Sequence, residues 1–482
     1  MTSRARAAYE SADPADAAGT PAGHPLQSDL LAQLRSGHGE GARRALAADG
    51  PAARAEVAAA LDSCVLRDPR AVPATESRSL YYARLYHRLD APLDALSAHL
   101  LCDADWEDED AERTALPLAV LGNLARFGRT DAVDLLRAYA AEGRDWTLAL
   151  EQLAHAADPH ALTGMLALAL ERADDEELYE CVRRGTGMRP WRMWGFANVR
   201  MRRIVEKVDL DWWRWELARG KAAAPEPRPA ATVDQVLSEA ASSPRRSTVC
   251  GRRLATLATP EHRGLILATA WSGAAGARIA ALRYLGDVGD PALLDLAETA
   301  LGAQTPAPVR QAAVQAVGAL RSGEAVLRAR RWMGADGPLG EVAVRILAGA
   351  GESADGPALI AALQRCRTAA ADDRFTLTDL VDGIGRLGLT EALDPVRDVY
   401  RASPWAGLRS RAVDALARIE PDFTATTAVD CLWDCEAETR LTAVEWADLK
   451  VAGVPDRLRE LARDPAEDDE VREAARQRLA AV

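Results

Sequence analysis

The chain has 482 residues and carries 59 Lys and Arg against 72 Asp and Glu, a net charge of −13 with a sequence pI of about 5.2. An acidic molecule of this kind is not built as a whole to coat nucleic acid or a membrane surface, so any such role must come from a local patch. The length also exceeds what one core accommodates, which predicts two or more units, or a solenoid whose core grows by addition.

Only Lys207, Lys221 and Lys450 are lysine, so arginine supplies nearly all the basic charge. With the abundant alanine this is a bacterial-like, GC-rich composition in which arginine identity says little about function. The seven cysteines (Cys64, Cys102, Cys181, Cys250, Cys366, Cys431, Cys435) follow no framework spacing. Free thiols in a reducing cytoplasm are expected.

In chain order, residues 1–25 are rich in Ala, Pro, Gly and Asp, contain no apolar signal-like core, and predict a disordered tail. No run is long and apolar enough to span a bilayer, which points to a soluble intracellular protein. Helical spacing begins with Leu30, Leu31 and Leu34 and continues through Tyr82, Tyr86 and Leu89, behind the cap-like Thr75-Glu-Ser77. Between about 112 and 173 two helix-pair patterns overlay: Leu118–Leu124 with Asp131–Leu136, and Thr147–Leu153 with Asp158–Met165. Residues 26–220 are therefore expected to form an irregular helical-repeat domain. Residues 221–231, Lys-Ala-Ala-Ala-Pro-Glu-Pro-Arg-Pro-Ala-Ala, predict an extended Pro/Ala linker. The second domain then runs from 232 to 482.

That domain repeats about every thirty to thirty-two residues. Four copies read Ala277-Arg-Ile-Ala-Ala-Leu-Arg-Tyr-Leu-Gly286, Val309-Arg-Gln-Ala-Ala-Val-Gln-Ala-Val-Gly318, Leu408-Arg-Ser-Arg-Ala-Val-Asp-Ala-Leu-Ala417 and Thr439-Arg-Leu-Thr-Ala-Val-Glu-Trp-Ala-Asp448. A period of this length with helical spacing predicts an all-α solenoid of stacked helix pairs, in which each pair buries its apolar side only against the next. Gly286 and Gly289 are expected to permit the reversal within a pair, with Asp290 capping the second helix and Pro291 in its first turn. The copy near 376 has Leu377 in place of the arginine and follows a longer spacer, Ala369–Asp373.

The Val-Arg-x-Ala-Ala-x-x-Ala-Leu-Gly and Gly-Asp-Pro pattern resembles the HEAT-repeat superfamily, specifically repeats of the phycobilisome-lyase type, well over 277–482 and weakly over 112–173. The resemblance implies a curved superhelix with a concave binding surface. Members include scaffolds and chromophore-handling lyases, and distantly similar folds include DNA-repair glycosylases, so fold does not select a function. No glycosylase residue carries over, because no motif of that family matches position by position. Arg278, Arg310, Arg409, Arg440 and Arg472 recur at one repeat position; they read as a structural ladder to carboxylates or helix ends next door, with an anion-binding stripe as the alternative.

One segment departs from the pattern. Val182–Lys221 has eleven Arg and Lys against four acids and holds Trp191, Trp194, Phe196, Trp212, Trp213 and Trp215. As one helix it would place Arg192, Phe196, Arg200, Arg203 and Lys207 on one face and Trp194, Met201, Val205 and Val208 on another, with a second helix starting after Asp209-Leu-Asp211 and ending at Gly220. These tryptophans either seal a core or contact a partner. The partner-binding candidates are Trp191, Arg192, Arg200, Arg203, Lys207, Trp212, Trp213, Arg214 and Trp215.

No catalytic constellation, metal site or cofactor motif is expected. Cys431 and Cys435, four apart, read as buried small residues before they read as metal ligands. The acidic run Asp103–Asp110 lacks calcium-loop spacing and reads as a solvated loop, and His87, His99, His155 and His160 are isolated. The leading expectation is a non-enzymatic helical-repeat scaffold that holds a protein partner on its solenoid surface and through the basic Trp-rich segment. The alternative is a nucleic-acid-binding or DNA-repair protein of HEAT-like fold that uses residues 189–219.

Overall fold

A computed structural model describes residues 25–67, 78–107, 112–185, 189–222, 231–302, 304–335, 337–368, 374–403 and 405–481. The expected tail, the Thr75–Ser77 cap, most of the Pro/Ala linker and the Ala369–Asp373 spacer lie outside them. Among the described residues every regular element is a helix and there is no strand. No helix is long and apolar enough to cross a membrane.

The chain forms two compact units. The first comprises residues up to Arg172 together with Trp433–Cys435. Its helices are α1 (Pro25–Ser36), α2 (Gly39–Leu46), α3 (Pro51–Leu66), α4 (Arg78–Leu89), α5 (Asp94–Leu100), α6 (Ala104–Glu107), α7 (Glu112–Arg126), α8 (Thr130–Glu142), α9 (Trp146–Leu153) and α10 (Met165–Arg172). Helix α4 is the centre: Arg78 and Leu80–Tyr86 are all buried, and α2, α3 and α7 pack around it. Three tyrosines make that burial possible, because each hydroxyl finds an acceptor: Tyr81 donates to the His38 carbonyl at 3.0 Å, Tyr82 to the Leu34 carbonyl at 3.2 Å and Tyr86 to Asp62 Oδ1 at 2.6 Å. The expected helix over Asp158–Met165 is instead a series of turns, and α10 starts only at Met165, after Gly164 with φ of 79°.

The second unit, Ala173–Leu432 and Glu436–Val482, begins with α11 (Asp175–Arg184), α12 (Trp191–Ala197) and α13 (Val199–Ala222). Thus the contact boundary falls at Arg172/Ala173, whereas the composition break at 221–231 is largely undescribed. The stack that follows is α14 (Val233–Ser242), α15 (Ser247–Leu257), α16 (Arg263–Ser272), α17 (Ala275–Asp287), α18 (Leu293–Ala300), α19 (Ala307–Gly318), α20 (Gly323–Trp332), α21 (Pro338–Ala350), α22 (Gly356–Thr368), α23 (Arg374–Leu387), α24 (Leu393–Ala402), α25 (Ala406–Ile419), α26 (Thr427–Cys431), α27 (Ala437–Trp446), α28 (Val454–Arg463) and α29 (Asp469–Ala480).

Its packing follows one rule. Alternate helices α15, α17, α19, α21, α23, α25, α27 and α29 form a spine in which each packs on the next, and every helix between them packs on the spine helix that follows. This is a solenoid-like stack, and the small residues of the repeat set its spacing. Gly286 lies inside α17, and a Cβ there would come within 2.8 Å of Ala316 Cα on α19; Gly385 of α23 stands in the same relation to Ala415 on α25. Gly286 therefore serves close approach and not reversal, a correction to the expectation. Gly289, with φ of 66°, makes the turn.

Two polar ladders hold the layers. In the first, repeat arginines answer carbonyls at or just past the end of the preceding flanking helix: Arg278 Nε donates to Ala270 O (3.2 Å), Arg409 Nη1 to Ser403 O (3.3 Å) and Arg472 Nη1 to Pro465 O (3.1 Å), while Arg310 Nη1 donates to Thr305 O (3.3 Å) in the turn just before its own helix. Helix ends leave carbonyls that need donors, and the positive charge suits the negative end of the helix dipole. Arg440 differs: it is buried in an ion pair with Glu467. In the second ladder, Arg263, Arg330 and Arg397 reach Asp290, Asp355 and Glu420, each of which follows a spine helix. Asp290 also accepts from the Ala292 amide at 2.9 Å, so it both caps the turn and anchors an arginine.

Candidate functional site

The Trp-rich segment folds as two helices broken at Asn198, not as one helix through Val208. Asn198 takes an extended conformation, and its Oδ1 accepts from the amides of Arg200 and Met201, which supplies the first turn of α13 with acceptors. No second start occurs at Asp209–Asp211: α13 runs without interruption from Val199 to Ala222, so Gly220 lies within it.

The six aromatics divide into core and surface. Trp191 and Trp194 are buried, their rings edge-on at 5.4 Å. On α13, Met201, Ile204 and Val208 form the buried stripe, at helical spacing that Trp212 and Trp215 continue. The covering neighbours do not extend that far: Trp212 is 51% exposed, Trp213 57% and Trp215 54%. Trp212 and Trp213 meet edge-on at 4.8 Å. Leu210 and Phe196 are exposed as well.

The basic residues are mostly engaged. Arg192 Nη1 donates to Asp209 Oδ1 at 2.7 Å, and Arg200 donates to Asp175 at 2.6 Å and to the Ala173 carbonyl at 2.9 Å. Lys207 lies 4.0 Å from Glu176 and over the Tyr179 ring at 4.6 Å, and Arg214 pairs with Asp211 at 3.1 Å. Arg203 is exposed and has no carboxylate partner among the described residues. The acids of α11 sit just upstream of the Val182–Lys221 window and offset most of its positive charge. From Ala173 to Lys221 there are eleven Arg and Lys and nine Asp and Glu. The helix that neutralises the segment was visible in the sequence as Asp174-Asp-Glu-Glu177, which forms a capping box with Glu177.

Of the nine predicted contact residues, the structure displays Trp212, Trp213, Arg214, Trp215, Arg203 and Lys207 along α13. It withdraws Trp191 into the core and ties Arg192 and Arg200 into ion pairs.

The remaining candidates resolve structurally. Cys431 ends α26 and Cys435 lies beyond it, so the two do not share a helix face; both are buried, and Cys435 packs on Gly37, to whose carbonyl its amide donates at 2.9 Å. Asp105, expected in a solvated loop, is buried as a hub: it accepts from Arg113 (3.0 Å), the Tyr139 hydroxyl (2.9 Å) and the Arg144 amide (2.8 Å). Burial and the hydrogen bond to Asp105 raise the Tyr139 hydroxyl above its ordinary range, and burial lowers His99, whose ring meets the Arg113 carbonyl. No group of three or more His, Cys, Asp or Glu among the described residues is placed to hold a metal ion.

The chain matches no protein-family model and no curated protein.

Proposed function

We propose that this protein is a non-enzymatic helical-repeat scaffold of HEAT-like type that holds a protein partner, and that the exposed part of α13 is a contact surface for it. The observation that carries this reading is the display of Trp212, Trp213 and Trp215 within four residues of one helix. Tryptophan and arginine dominate the energetics of protein interfaces, and large aromatics are seldom left half in water without a use.

The pairing of the arginines favours protein over nucleic acid as the partner. Phosphate binding draws on uncompensated positive charge, and here the nearby carboxylates of Asp175, Glu176, Asp209 and Asp211 already occupy most of it.

The test compares full-length protein with a Trp212→Ala, Trp213→Ala, Trp215→Ala variant as bait in native extract, followed by reconstitution with each purified candidate. At least one protein is expected to bind the wild type and to lose about tenfold or more in affinity with the variant. Equal recovery by both baits overturns the reading. So does tight binding of oligonucleotides that falls steeply with salt.

A further inference from the structure

We infer that the seam along α19, α21 and α23 is a binding site for a phosphate dianion, free or as a phosphomonoester, held by Arg321, Arg345 and Arg386. Arg321 lies in the turn after α19 and donates through Nη1 to the carbonyls of Gly318 (2.7 Å) and Leu320 (2.9 Å). Its guanidinium rests on the backbone of α21 at Gly349, where a Cβ would come within 2.6 Å of Cζ, Nε and Nη2. Arg345 stands one turn before Gly349 on the same face of α21, packs its stem on Gly318, and donates through Nε to Asp379 of α23 at 2.5 Å. Arg386, seven residues past Asp379 and so on the same side of α23, donates to the carbonyls of Leu347, Ala348 and Gly351 at the end of α21.

These bonds fix the three guanidiniums without exhausting them. Among the described residues, Nε and Nη2 of Arg321, both Nη atoms of Arg345 and Nη1 of Arg386 have no acceptor. The three charges also act on one another: burial lowers the Arg321 pKa, Asp379 opposes that shift, and Arg386 and Arg345 add to it. Neighbouring acids have their own cations. Asp355, which Arg386 also reaches electrostatically, is held by Arg330, and Asp382 has Arg411 and Arg418 beside it. Three guanidiniums against the one carboxylate of Asp379 leave a local charge of about +2 in a chain of net charge −13. Capping helix ends does not require such gathering, since Arg278 and Arg409 each answer a carbonyl singly. Guanidinium forks match phosphate oxygens in pairs, and a dianion balances the excess where a carboxylate would leave one charge over.

The test is calorimetric titration of full-length protein with inorganic phosphate and with phosphoserine at about pH 8, where the phosphomonoester is a dianion. Dimethyl phosphate, a monoanion, and chloride at matched ionic strength are the comparisons. The dianions are expected to bind about tenfold or more tighter than dimethyl phosphate. Tighter binding of phosphoserine assigns the site to a phosphorylated ligand, and tighter or equal binding of inorganic phosphate assigns it to the free ion. Arg321→Gln and Arg345→Gln each weaken binding about tenfold, Gly349→Ala weakens it by pushing Arg321 off α21, and Arg411→Gln on α25, outside the cluster, leaves it unchanged. Dimethyl phosphate bound as tightly as the dianions overturns the charge match and with it the inference. So does a response no greater than that to chloride, or equal binding by wild type and Arg345→Gln. Should the arginine variants fail to fold, the wild-type titrations still decide the matter.

Discussion

The Arg440 guanidinium and the Glu467 carboxylate face each other in two parallel hydrogen bonds, Nε to Oε2 at 3.0 Å and Nη2 to Oε1, with both side chains almost wholly out of water. A buried charge left without its partner is costly, while two charges replaced together by apolar groups often are not. Glu467→Ala is therefore expected to destabilise the protein by about 3–5 kcal/mol. Arg440→Met combined with Glu467→Leu should recover most of that loss. Chemical denaturation of the single and double variants checks both.

Gly286 and Gly289, three apart, should fail for different reasons. Gly286→Ala drives a methyl into Ala316 on the next spine helix and is expected to cost about 1–3 kcal/mol as overpacking. Gly289→Ala meets nothing in space but forces a side chain into the left-handed region, at about 1 kcal/mol. Adding Ala316→Gly should partly offset the first change and leave the second unaltered, which a double-mutant cycle in thermal denaturation reads directly.

The tryptophans should separate by burial. Trp191→Ala empties a core site and is expected to cost about 3–5 kcal/mol, whereas Trp213→Ala should change stability by about 0.5 kcal/mol or less. Comparable losses at both positions would mean that Trp213 is packed, and the docking surface would go with it.

Acid should weaken the second ladder. The Arg263 guanidinium holds the Asp290 carboxyl below the usual carboxylate range, and Arg330 does the same to Asp355. A carboxyl with a lowered folded-state pKa contributes its stability in full above its unfolded value of about 3.9 and loses it as pH falls through the folded value. The melting temperature of Asp290→Asn is thus expected to lie below wild type at neutral pH and to converge with it as pH falls below about 4. A constant gap across that range would show that ionisation of the Asp290 carboxyl does not contribute to stability.

Much of the stack was legible because its causes are local. The Arg-x-Ala-Ala period and the Asp290-Pro291 turn each act within one layer, so their order in sequence sets the order of helices, whereas Gly286, expected to permit the reversal, acts between layers by admitting Ala316. What escaped depended on neighbours brought in by folding. Asp290 was recognisable as a cap, but its arginine, Arg263, lies on the flanking helix before. The charge of the Trp-rich segment looks strongly positive by itself because the acids that offset it, Asp175 and Glu176, belong to the preceding helix α11. The break at Asn198 was hidden because both sides carry helical spacing and only the side-chain acceptor marks it. Asp105 looked like one of several loop acids; nothing nearby announced Arg113, Tyr139 and Arg144 converging on it. The division of tryptophans between core and surface was likewise undecided by sequence, because Met201, Ile204, Val208, Trp212 and Trp215 form one continuous stripe and only the reach of the covering helices separates its two halves.

Because Arg278, Arg409 and Arg472 each serve carbonyls at the end of the flanking helix that precedes them, the molecule has a natural unit of length. Arg278 and Arg310 are 32 positions apart, as are Arg440 and Arg472. Excising Arg278–Val309 would deliver Arg310 to the carbonyls that Arg278 now serves, so the seam would look like any other joint. Removal of half as much would fuse a spine helix to a flanking one and leave both without their customary neighbour. The assembly is thus divisible in whole steps and brittle to fractions of a step, a property that lets such a chain grow or shrink by duplication without redesigning its interior.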